Sequence, residues 1–61
     1  MTKDEALWLV LDAARETKRA SDSGLLDLSE QKREWRESVE TALAAGATER
    51  EIATAEKEGQ S

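Results

Sequence analysis

Three glycines, Gly24, Gly46 and Gly59, divide this 61-residue chain into three runs whose apolar residues recur every three or four positions. Glycine after such a run is a helix stop, because it takes up left-handed backbone without a Cβ clash. The expectation is an all-α protein with helices over about 3–20, 30–45 and 49–57, forming one small domain over 1–61. The first two helices should make an antiparallel helical hairpin, with the third as a short appendage. Two hairpins meeting through the Ala6–Leu11 region would dimerise into a four-helix bundle.

Each run also has a recognisable start. In "MTKDEA", Thr2 can cap, Glu5 stands at N3 to complete a capping box, and Met1 and Ala6 occupy the hydrophobic-staple positions. In "GATEREI", Thr48, Glu51, Ala47 and Ile52 repeat that grammar. The middle helix has two competing caps, Asp27 paired with Glu30, or Ser29. Asp4 and Glu5 at one end of the first helix, and Lys18 and Arg19 at the other, both suit the helix dipole.

The faces differ. On the first helix, Leu7, Leu11 and Ala14 form a stripe, with Val10, Ala13 and Thr17 beside it. Trp8 and Leu9 fall outside that stripe, so the turns from Ala6 to Leu11 are apolar nearly all round and require cover on more than one side. Leu7, Trp8, Leu9 and Leu11 are therefore candidate protein-interface residues; the alternative is that "LLDL", Leu25 to Leu28, folds back over them. Leu25, Leu26 and Leu28 are expected to plug one end of the hairpin. On the second helix Leu28, Trp35, Val39, Ala42 and Leu43 mark the inner face. The opposite side is charged, with Arg33–Glu37 and Arg36–Glu40 at ion-pair spacing. The third helix would bury Ile52 and Ala55, with Ala53 a further candidate; with one large apolar anchor it is weak, and it either frays or depends on docking against the second.

A chain this short buries a small fraction of its surface. It has no cysteine to form a disulfide and no histidine for a thiolate–imidazole metal cluster. A partner chain is the natural stabiliser. The net charge is -5, from 9 basic and 14 acidic residues, and no third of the chain is basic. That balance disfavours DNA, whose phosphates call for clustered Lys and Arg, and favours a protein partner or a homodimer. The longest apolar run, "ALWLVL", is too short to span a membrane and follows Lys3, Asp4 and Glu5 rather than a cationic leader. A cytoplasmic location without membrane contact is the default.

"ALAAGATEREIATA" resembles a pattern of small helix-turn-helix proteins of actinobacteria and their phages, through Ala45, Gly46, Thr48, Arg50, Glu51, Ile52 and Ala53. The resemblance covers about 14 residues. It implies that the second helix is a support helix, that the third is the first helix of the DNA-binding unit, and that Ala53 packs where the unit's helices cross. The family's glycine turn then leads to a helix that enters the major groove. Here Lys57 stands at that turn, Gly59 comes two residues late, and only Gln60 and Ser61 follow, which implies that the reading helix is missing.

Enzyme chemistry has no foothold. Carboxylates are plentiful but nothing marks a cleft that would drive their pKa values apart. The serines lack a histidine, the glycines form no phosphate loop, and "DSGLLD" lacks the ligand pattern of a calcium loop. No catalytic, metal or cofactor residues are assigned, and no cofactor is expected. The function expected is a non-enzymatic protein-interaction or regulatory accessory factor, with phage-encoded origin among the options. One alternative is a DNA-associated regulator with a truncated helix-turn-helix, using Arg33, Arg36 and Arg50 on phosphates. Another is a structural subunit of a helical oligomer.

Overall fold

The computed structural model describes all 61 residues, Met1–Ser61. It is all-helical: α1 (Lys3–Asp22), α2 (Ser29–Ala44) and α3 (Glu49–Gln60). α1 and α2 form the antiparallel hairpin. α3 then turns back and runs alongside α1, in the same direction. The molecule is 34 Å long, close to the length of about 30 Å that α1's 20 residues would span. α1 is thus the spine, and it packs against both other helices while α2 and α3 barely touch.

This corrects the expectation that α3 would dock on α2. Its inner face, Ile52, Ala55 and Gly59, lies on α1 instead. Polar links hold it there at both ends: Lys3 pairs with Glu51 at 3.1 Å, and the Lys18 ammonium donates to the Gln60 carbonyl at 2.7 Å. α2 reaches α3 through one side-chain bond, from the Trp35 indole N–H to Glu56 at 2.7 Å. That bond explains why Trp35 is half-buried rather than enclosed: its apolar body leans inward while its polar edge stays near the surface.

Gly59 is not a stop. It lies inside α3, and a Cβ there would collide with the Leu11 carbonyl and come within 2.9 Å of the Ala14 Cβ. α3 therefore extends to Gln60 because glycine lets it approach the backbone of α1. Gly24 and Gly46 are true stops, with φ of +90° and +97°. At each, the next residue's N–H reaches back to the last turn, Leu25 to Ala20 and Ala47 to Ala42, the bond of a Schellman motif.

The core is built of small residues. Ala6, Val10, Ala42, Ala47, Ile52 and Ala55 form one buried cluster, with Leu7, Leu11, Val39 and Ala45 packed against it. Ala14 and the hydroxyl-bearing Thr17 and Ser38 extend the buried face. Each hydroxyl donates to a carbonyl of its own helix, Thr17 to Ala13 and Ser38 to Trp35, so burial leaves neither unsatisfied.

Several local expectations change. Ala53 and Leu43 are exposed, so the buried faces of α3 and α2 sit a step away from the apolar count. Leu25 and Leu26 do not plug the hairpin; Leu26 is 99% exposed, and only Leu28 is partly covered. Met1 stays exposed and forms no staple. At Thr2 the hydroxyl accepts the Glu5 N–H and meets the Glu5 carboxylate, whereas only Thr48 and Glu51 complete a reciprocal capping box. α2 begins without a side-chain cap on its cap residue, Leu28; Asp27 instead accepts from the Ser29 N–H and hydroxyl just ahead of the first turn. Arg33–Glu37 and Arg36–Glu40 are not among the ion pairs, which are Lys3–Glu51 and Glu16–Arg19.

Candidate functional site

α1 is covered on two sides, and its third side faces outward. Residues three and four apart share a helix face, so Glu5, Trp8, Leu9, Asp12 and Glu16 form one outward strip. At its centre Trp8 is 57% exposed and Leu9 41% exposed. These are large apolar residues on the second turn of the longest helix, which packs against both α2 and α3. The loop leucines Leu25 and Leu26 are also exposed, but they sit on a turn that no other helix supports.

Three shallow grooves border this strip. Between α1 and α3, a groove of about 440 Å³ has Leu7, Trp8, Leu11 and Ala55 as its apolar wall, with Arg50 and Glu58 on its rim. At the start of α1, a second is lined by Met1, Trp8 and Leu9 with Asp4 and Glu5. Between α1 and α2, a third, of about 290 Å³, carries Leu9 and Ala13 beside Asp12, Glu16, Glu34 and Glu37. Trp8 is shared by the first two grooves and Leu9 by the last two. The Arg15 guanidinium stands 6.0 Å from the centre of the Trp8 ring, at the outer reach of a cation–π contact, so it steadies the ring without hiding it.

The four residues expected at an interface thus divide. Trp8 and Leu9 face outward. Leu7 and Leu11 pack against the core and supply the inner wall of the α1–α3 groove, so they shape the face from beneath. The three arginines are exposed but do not gather. Arg50 stands on the first turn of α3 near Trp8, whereas Arg33 and Arg36 lie on α2. From the end of α2 nearest Arg50, Arg36 is set back by about 12 Å along the helix and Arg33 by more. None of the three has a carboxylate partner.

Two carboxylates titrate below their ordinary range, and both serve local structure. Asp27 is lowered by its bonds from the Ser29 hydroxyl and N–H. Glu51 is lowered chiefly by the Thr48 N–H, then by Lys3. No three carboxylates are arranged to hold a metal ion. No helix is long and apolar enough to cross a membrane.

The run of acids along the α1–α2 groove has no signature in either helix alone. The antiparallel register that buries Ala42 against Ala6 and Val10 is what sets Glu34 and Glu37 beside Asp12 and Glu16. Ser38 and the close crossing at Gly59 were also missed. The spacing Ile52, Ala55, Gly59 carried a signal for the crossing, since it is a helical stripe of falling side-chain size.

No protein-family model matches the chain, and no curated protein or solved structure matches it significantly.

Proposed function

We propose that this protein is a non-enzymatic interaction module, a small regulator or accessory factor, that binds another protein through the outer face of α1. The observation that carries this reading is the exposure of Trp8 and Leu9 side by side on a braced helix. Burying each such side chain fully is worth roughly 1.5–3 kcal/mol, and tryptophan is the residue most enriched where binding energy concentrates. Self-association is one form of the reading. Because α3 already covers one side of α1, two copies meeting there would assemble six helices rather than the four of two bare hairpins.

The test is affinity capture from lysate of the source cells, with nuclease, using the full chain and a Trp8→Ala/Leu9→Ala variant as baits. A protein held by the native chain and released by the variant, with the helical circular dichroism of both unchanged, supports the reading. Equal capture by both baits would overturn it.

A DNA-associated role is the second reading, supported by Arg33, Arg36 and Arg50 being free of carboxylate partners. It calls for a gel shift at low salt that weakens steeply as salt rises and on Arg50→Ala. The spread of the three arginines over two helices and the net charge of -5 weigh against it.

A further inference from the structure

We propose that the occupant of the α1 outer face is a basic amphipathic helix of a partner protein, seated with its apolar stripe on Trp8 and Leu9 and its Lys/Arg row over the α1–α2 groove. This rests on the interaction reading above and names the chemistry of the partner.

The distribution of charge around the two apolar residues selects the partner. On the α2 side, the groove beside Leu9 has four carboxylates, Asp12, Glu16, Glu34 and Glu37, and no cation among its lining residues. Three of the four have no ion-pair partner, and Glu16 reaches Arg19 only at 3.9 Å. At the start of α1, Asp4 and Glu5 border the groove beside Trp8 and Leu9. On the α3 side the signs are mixed, with Arg15 over the Trp8 ring and Arg50 on the rim. The apolar pair therefore has an acidic flank along one edge, with Arg19 beside Glu16 and Arg33 one turn from Glu37 at its outer margin. A cationic row laid along that edge gains attraction from several carboxylates within the screening length of about 8–10 Å.

The same charges disfavour a second copy. Two identical faces related by a twofold axis that crosses α1 would set acidic edge against acidic edge, where like charges oppose association. The form of the partner follows from the fold. Every backbone group in the middle of α1 is spent within the helix and the molecule offers no sheet edge, so recognition must run through side chains. The strip from Glu5 to Glu16 is straight and about 16 Å long, three turns of a helix. Only its centre, Trp8 and Leu9, is apolar, with acids on either side; a helix laid along it sets its apolar anchors on that pair and its cations over the flanking acids.

The experiment uses the full chain and three synthetic helical peptides of about 16 residues. They share one leucine stripe and differ only in their flanking row, which is Lys, Gln or Glu. Titration calorimetry is run at low and at raised salt. The Lys peptide should bind at least tenfold more tightly than the Gln peptide, and the Glu peptide more weakly than either. The Lys advantage should shrink as salt rises. Glu34→Gln/Glu37→Gln, at two exposed positions, should remove most of that advantage and leave Gln-peptide binding unchanged. Trp8→Ala/Leu9→Ala should weaken the Lys and Gln peptides alike.

If the three peptides bind equally through Trp8 and Leu9, the basic partner is overturned and the wider interaction reading stands. A Lys preference that survives Glu34→Gln/Glu37→Gln overturns the assigned seat. If no peptide binds, the inference falls. A Trp8-dependent dimer in sedimentation would then make the second copy the occupant, and a monomer would leave the wider reading to the capture experiment.

Discussion

The two faces of α1 are made of opposite materials. The buried face presents Ala6, Val10, Ala14 and Thr17, none larger than valine, while the outer face presents Trp8 and Leu9. In most small domains the large side chains fill the interior, because burial of apolar area is the main favourable term. Here small inner residues let two helices approach one helix closely on adjacent sides. Close approach of backbones leaves no room for a leucine, and the large apolar residues are displaced to the flanks and to the surface. α1 thus holds its smallest side chains inside and its largest outside.

The largest way to break that contrast is from the inside. Ile52 is the largest buried side chain that α3 sets into the core cluster, and Ile52→Ala should cost about 3 kcal/mol in urea unfolding. A loss under about 1 kcal/mol would mean that α3 is not anchored to α1. Gly59→Ala tests the close approach itself. In an exposed helix this change stabilises by about 1 kcal/mol; here overpacking against the α1 backbone should reverse the sign and cost about 2 kcal/mol. A raised melting temperature would show that the two helices do not meet there.

Trp8→Ala addresses the outer face. Stability should fall by about 1 kcal/mol, well short of Ile52→Ala, because more than half of the side chain already lies in solvent. A fall of several kcal/mol in thermal unfolding would place Trp8 with the core and remove the contrast. The smallest effect concerns the edge where α3 joins α1. The Glu51 carboxylate titrates below its ordinary 4.5 because it accepts from the Thr48 N–H and pairs with Lys3. Its contribution is present above the unfolded value and is lost as pH falls through the lower folded value. Amide exchange at Thr48 should therefore quicken, beyond its intrinsic trend, only when acidification passes below the usual glutamate range. Exchange that is insensitive to protonation of Glu51 would show that the box is idle.

Two turns with the same local grammar show how far the residues alone could be read. Gly24 and Gly46 both end helices in a left-handed turn, and both are followed by an apolar residue whose N–H reaches back to the last turn. Around Gly46, the apolar pair Ala47 and Ile52 is buried in the core, as the staple pattern implied. Around Gly24, Leu25 and Leu26 are left exposed although they are the more hydrophobic. What differs is whether another helix arrives: α1's first turns lie beside the second corner, and the first corner lies beyond the cluster. Trp8 was legible as out of phase, because phase is a property of one helix. The acidic groove was not, because it is assembled from α1 and α2 together.

The residues by themselves determined three helices, the glycine stops of the first two and the threonine starts of the first and third, since propensity, capping and left-handed backbone act within a few positions of chain. They also determined that Trp8 and Leu9 lie off the main apolar stripe. Only the tertiary structure decided that α3 runs along α1, that Gly59 is a contact and not a stop, and that four carboxylates meet beside Leu9. Those outcomes depend on which helices come into reach across long separations in sequence, and the small side chains of α1 decide how closely they can approach.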